Sequence, residues 1–296
     1  MFGPMILTPF TVVALVLLGL GAGTLGALVG VGGGIIVVPT LVLVFHVDIK
    51  TAIATSLVAV VATSTAAGSV YVGRGLTNMR LAMTLEIFTT VGGITGGFLA
   101  VLVSESALAA LFGVIMGVTA VLLLQGKDPA RRPGAGGPAS PAPAPLGEEH
   151  PGRLAGSYYD AHAERLIEYH AVRLPVGGAV SALAGMISGM LGVGGGFLKV
   201  PAMALGMNVP IKVAAATSNF MIGVTAIASL FIYLARGFVS PLIAAPVALG
   251  VTAGALAGTR WAGRVSGRVL RRILSAVVIV VGVEMLLKAV GVSLGH

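Results

Sequence analysis

The 296-residue chain is 56% hydrophobic and only 9% charged, with a mean hydropathy of +1.03 and a net charge of +8. A soluble domain carries about 25% charged residues, so this chain has too little polar surface for a water-soluble fold and reads as an all-α polytopic membrane protein. The absence of cysteine excludes disulfides, thiol nucleophiles and Cys-ligated metal sites, and in a membrane protein the Lys and Arg excess sets topology rather than binding nucleic acid.

The apolar runs, in chain order, cover residues 6–29, 35–46, 51–72, 81–103 and 106–124, then 174–191, 196–207, 213–235, 241–262 and 273–291. A bilayer-spanning helix needs about 20 apolar residues, and none of these runs alternates polarity as a barrel strand would. All are read as helical. The opening stretch "MFGPMILTPF" has no positive n-region, so no cleaved signal peptide is read. Between the two sets of runs, "DPARRPGAGGPASPAPAPLGEE" reads as an extended linker. The following "YYDAHAERLIEYHAVR" reads as a short amphipathic helix. Its histidines lack tight ligand spacing, so a solvated interfacial segment is favoured over a metal site, and no cofactor is implied.

Sliding the chain by 162 positions matches it to itself without gaps: 20 of the 46 residues from Gly30 to Gly75 are identical. The pairs include Pro39 with Pro201, Lys50 with Lys212, Thr55-Ser56 with Thr217-Ser218, and Arg74-Gly75 with Arg236-Gly237. The chain therefore reads as two homologous transmembrane repeats, residues 1–125 and 173–296, joined by a linker and amphipathic segment at 126–172. With five segments per repeat, fourteen Lys and Arg fall on one face and three on the other; with four, the split is ten against seven. The positive-inside bias thus favours inverted repeats of five segments with a cytoplasmic linker. The second segments are short, and four crossings per repeat stay open.

Each repeat breaks its own apolar helix. "GVGGGIIVVP" spans Gly30–Pro39 and "GVGGGFLKVP" spans Gly192–Pro201. Gly32, Gly33 and Gly34, with Gly194, Gly195 and Gly196, let the backbone unwind. Pro39 and Pro201 disfavour helix before them, so 32–38 and 194–200 are expected to be irregular. Irregular backbone at membrane depth is tolerated where it is packed in protein or lines a cavity, and half-helix N–H groups favour an anion. Thr55 and Ser56, with Thr217, Ser218 and Asn219, offer further donors; the competing reading is that the hydroxyls bond back to their own helices. Lys199, whose partner is Val37, is a counter-charge candidate. Glu86 and Glu284 are the acids nearest membrane depth and are candidate coupling groups. Glu284 has Lys288 one turn away, which reads as an interfacial pair. Nucleotide-binding, zinc-protease and serine-hydrolase motifs are absent, so no enzyme is read.

"GMISGMLGVGGGFLKVPAMALGMNVPIKVAAATSNFMIGVTA", Gly185–Ala226, resembles the second-repeat signature of the TauE/SafE family, also called the sulfite exporter family. The resemblance covers both hydrophobic halves. It implies a bacterial or archaeal inner-membrane permease that moves sulfite or organosulfonates, often outward, with the motif positions above as its substrate site. The expected function is thus a secondary transporter of small sulfur-containing anions; a permease for another organic anion, or a passive anion channel, stays open. The expected partners are that anion and the lipid bilayer, with homo-oligomerisation undecided.

Overall fold

The computed structural model describes residues 8–30, 32–125, 154–160, 165–261 and 267–289. The first half holds α1 (Pro9–Val29), α2 (Gly34–Leu43), α3 (Ile49–Gly73), α4 (Met79–Leu102) and α5 (Glu105–Gln125). The second holds α6 (Leu174–Leu191), α7 (Gly196–Pro201) running into a π-type turn at Ala202–Gly206, α8 (Ile211–Ala235), α9 (Pro241–Trp261) and α10 (Gly267–Ala289). Six helices among the described residues are long and apolar enough to cross a bilayer: α1, α3, α4, α6, α8 and α9. The protein is a multi-pass helical membrane protein.

Helix α4 turns a stripe of large side chains outward and its glycines inward, which suits close packing in lipid. On α4, Met83, Ile87, Val91, Ile94 and Phe98 are exposed at helical spacing, whereas Glu86, Thr89, Gly92, Gly93, Gly96 and Gly97 are buried. In water such a stripe would be an aggregation surface; in hydrocarbon it is the solvated face.

Close glycine approaches fix the helix directions. A Cβ at Gly19 would lie 2.9 Å from Val251 N, and one at Gly258 would lie 2.7 Å from Thr24 O, so α1 and α9 run parallel. Gly92 meets Ala182 and Gly189 meets Gly97, so α4 and α6 are also parallel. Gly113 meets Leu286 while Gly282 meets Met116, so α5 and α10 run opposite ways. Val60 and Ile222 meet at Gly32, and Ser64 donates to Asn219 O; α3 and α8 are therefore antiparallel. Contacts recur at positions 162 apart. Tyr71 Oη donates to Ala27 O at 3.0 Å, and Tyr233 Oη donates to Gly189 O at 3.0 Å.

One end of the bundle gathers the starts of α4, α6 and α8. The other gathers the start of α3 with the ends of α4 and α8: Lys50 Nζ donates to Val101 O at 2.9 Å and lies 5.8 Å from the Phe238 ring centroid. The polar segment after the linker is not the expected helix. It forms an antiparallel hairpin of β1 (Ala155–Asp160) and β2 (Arg165–His170), with Ala155 opposite His170. The reason is period: Tyr169 is buried between exposed Glu168 and His170, and aromatic residues suit a half-buried strand. The hairpin rests on the bundle through Asn78 Nδ2, which donates to Tyr169 Oη at 3.0 Å, and through Val172 N, which donates to Met207 O at 3.1 Å. The Pro/Ala/Gly linker lies outside the described residues.

Candidate functional site

The two glycine breaks meet at the centre of the bundle. Gly30 ends α1 at φ 78°, and Gly32 and Gly33 follow at 88° and 76°. Gly192, Gly194 and Gly195 repeat this at 69°, 85° and 67°. Left-handed backbone of this kind is glycine's domain. Gly34 needs room instead: a Cβ there would collide with Gly192 O and approach Ser56 Oγ at 2.7 Å. Helix resumes earlier than expected. The irregular stretch ends at Gly33 and at Gly195, so Gly34–Leu43 is helical through Pro39, and Gly196 begins α7. Pro39 lies in the second turn of α2 and removes one hydrogen bond, which is tolerable where Val37 N already bonds Gly33 O at 3.3 Å. Pro201 ends α7, where the chain switches to the wider π turn.

Around the breaks the hydroxyls divide. Ser56 Oγ donates to Gly192 O at 2.7 Å and ties the second break to α3. Thr217 Oγ1 accepts from Asn78 N at 3.0 Å and holds the loop under the hairpin. These two hydroxyls have protein partners. Thr55 Oγ1, Ser218 Oγ and both amide atoms of Asn219 are buried and have no hydrogen-bond partner. The same is true of Ser188 Oγ, on α6, whose Cβ stands 3.3 Å from where a Gly195 Cβ would lie. Asn219 Nδ2 stands 3.4 Å from the corresponding point at Gly30. Back-bonding to the helix does not account for these groups. Thr63, Thr89 and Thr119 do bond the carbonyl four residues back, at 2.9, 2.8 and 2.7 Å; Thr55, Ser188 and Ser218 do not.

Lys199 is 1% exposed. Its Nζ donates to Thr225 Oγ1 at 3.4 Å, and Thr225 Oγ1 donates to Glu86 Oε1 at 2.7 Å, with Met221 O at 3.1 Å as its other acceptor. Glu86 Oε1 also accepts from Thr90 Oγ1 at 3.1 Å, while Oε2 is buried without a partner. Glu284 is exposed on α10, and its neighbour Lys288 donates to Val42 O at 3.3 Å rather than pairing with it. The structure therefore brings together the glycines, Ser56 and Asn219; it joins Lys199, whose N–H bonds Gly195 O, to Glu86 through Thr225, and it leaves Glu284 apart. Sequence reasoning missed Ser188 and Thr225. Thr225 had a signal: it lies seven residues after Ser218, on the same face of α8. Among the described residues no three His, Asp or Glu side chains gather to hold a metal.

The family model for the sulfite exporter TauE/SafE matches residues 15–285. The chain is 31% identical over 245 residues to the probable membrane transporter protein YunE of Bacillus subtilis (strain 168), covering 80% of this chain and 84% of that one. It is 28% identical to a probable membrane transporter protein of Xylella fastidiosa (strain 9a5c), covering 79% and 77%. It is 26% identical to the probable membrane transporter protein MJ0441 of Methanocaldococcus jannaschii, covering 79% of each. No solved structure matches significantly. With its spans, its paired breaks and this match over most of its length, the chain belongs to the TauE/SafE sulfite exporter family and is a membrane transporter rather than an enzyme.

Proposed function

We propose that the protein is a secondary transporter of a small sulfur oxyanion or organosulfonate, exporting it across the inner membrane. The anion sits where the glycine breaks meet. One observation carries this: Ser188, beside Gly195, and Asn219, beside Gly30, are buried with side-chain polar atoms that have no hydrogen-bond partner, as are Thr55 and Ser218 on α3 and α8. Each such group costs about 1–3 kcal/mol; for the donors among them, the three hydroxyls and Asn219 Nδ2, a bound oxyanion with several acceptor oxygens would offset that cost. Lys199 supplies the counter-charge. The sulfur class rests on the family's name.

The two halves act as inverted repeats that rock about the central crossing to expose the site to each side in turn. The matched contacts 162 residues apart and the opposed α3/α8 and α5/α10 pairs support this. The hairpin end, with Arg74, Arg80, Arg173 and Lys212, is the cytoplasmic end by its positive charge, against Lys50, Arg236 and Lys288 at the other.

Flux into proteoliposomes tests the reading. Sulfite or sulfoacetate entry should saturate and should exchange with anion trapped inside. Flux that stays linear with concentration would make the protein a channel. Acetate flux with no sulfur-anion flux would move it to another permease class.

A further inference from the structure

The two halves match in backbone, yet two charges break the match together. Lys199 corresponds to Val37, and Glu86 corresponds to Ala248. Thr225, which stands between the charges, corresponds to Thr63. Thr63 bonds only backbone, donating to Ala59 O at 2.9 Å with Gly32 O at 3.4 Å. The first half thus builds the same break with no charges, so the pair is not required by the fold. Buried charges are costly unless compensated, and here each is the other's compensation, through one hydroxyl.

That compensation is loose. The lysine's contact with Thr225, at 3.4 Å, is at the long limit of a hydrogen bond. Glu86 Oε2 is buried and bare, which is the position a proton would take. Lys199 lies four residues past Gly195 on α7, its N–H bonding Gly195 O at 3.2 Å. Thr225 and the orphaned Ser218 share one face of α8, about 10 Å apart by helical rise. Of the elements packed on α4, α6 carries no ionisable side chain. On α8, Lys212 lies at the hairpin end and Tyr233 is held by Gly189 O. On α4 itself, Arg80 lies six residues before Glu86. Lys199 is the charge set against Glu86.

We propose that Glu86 and Lys199 form a proton-linked switch that obliges one monovalent anion and one proton to move together. This rests on the reading that the anion binds at the breaks. In the empty site Lys199 and Glu86 cancel. An arriving anion takes over Lys199 and leaves the Glu86 carboxylate uncompensated. Glu86 then accepts a proton on Oε2 from the aqueous side that is open. The Oε2–H bond forms as an O–H bond of the aqueous proton donor breaks, and no other bond changes. The empty site (cation and carboxylate) and the loaded site (cation, anion and neutral acid) both carry zero net charge. Species with only the anion or only the proton carry a net charge, and burying that charge opposes the conformational change. Electroneutral cotransport of a monovalent sulfonate or bisulfite follows.

The test uses the purified full chain in proteoliposomes loaded with a pH-sensitive dye, with methanesulfonate and sulfite as probes, alongside thermal-shift binding in detergent. In the wild type, anion entry should acidify the lumen by about one proton per anion. The apparent Kd should rise up to about tenfold per pH unit above the titration of Glu86, since one bound proton is linked to one bound anion. Glu86→Gln keeps both hydroxyl contacts; it should keep binding, lose the pH dependence of Kd and lose the proton signal. Lys199→Met should weaken binding at least tenfold. The double variant Glu86→Gln/Lys199→Met, uncharged like the first half, should melt no lower than the wild type, which separates the switch from a folding role. Anion flux without proton movement in the wild type, or a proton signal that survives Glu86→Gln, overturns the switch and leaves the binding site standing. Absence of binding by both probes overturns the site and the switch together.

Discussion

Asn219 sets stability against binding. Its amide is 1% exposed, with neither the oxygen nor the nitrogen partnered, and its counterpart in the first half is Leu57. Leucine at 219 removes a buried, unsatisfied amide whose burial costs about 1–3 kcal/mol. The ligand-free protein should therefore gain up to that amount, and its melting temperature in detergent should rise. Binding should move the other way. A hydrogen bond to a charged ligand contributes about 1.5–3 kcal/mol, so affinity should fall roughly 10- to 100-fold. Thermal melting with and without sulfite reads both. At a concentration of 100 Kd for the wild type the ligand stabilises by about 2.7 kcal/mol; a tenfold loss of affinity leaves about 1.4 and a hundredfold loss about 0.4. Ser218→Ala adds no volume and should show the same opposition in smaller measure, which guards against leucine's extra bulk. A variant that melts lower than the wild type yet keeps the full sulfite shift would refute the reasoning and make Asn219 a packing residue.

Other outcomes follow from the same contacts. Thr217→Ala frees Asn78 N and should destabilise by about 1 kcal/mol with affinity little changed, the reverse of Ser218→Ala, as paired melting curves would show. Gly34→Ala forces Gly192 O and Ser56 Oγ from their places; it should cost about 1–3 kcal/mol and abolish flux in proteoliposomes. Tyr169→Phe removes the hydroxyl that Asn78 Nδ2 reaches and should speed protease cleavage at the hairpin without altering anion affinity. Deleting Pro133–Pro145 should leave flux intact, and a cysteine placed at Ala139 should resist labelling from the periplasmic side.

The backbone plan was readable in the sequence because glycine and apolar length report on backbone directly. The 162-residue match placed both breaks, and the observed helices agree with the apolar runs to within a few residues except α10, which begins six residues before its run. Lys199 stood out because it replaces a valine in a matched motif. What stayed hidden depends on rotamers and on distant partners. Thr55 and Thr217 are the same residue in the same motif, yet only Thr217 has a loop N–H to accept. Ser188 gave no sign because its neighbour across the break is a glycine with no side chain to pattern. Pro39 was overrated as a helix breaker because a helix starting at Gly34 loses only one bond to it. The hairpin was misread because glutamate and alanine suggested helix, while the deciding contact, Tyr169 on Asn78, is a tertiary one.

The central claim is that the orphaned polar groups at the breaks hold a sulfur oxyanion. Thermal-shift binding on the purified wild type, with sulfite, thiosulfate, sulfoacetate, taurine, sulfate and acetate at equal ionic strength, tests it most directly. The account predicts a saturable shift with at least one sulfite- or sulfonate-type anion, none with acetate, and its loss in the Ser218→Ala/Asn219→Leu double variant. A shift with acetate alone, or a sulfur-anion shift that persists unchanged in that variant, would contradict it.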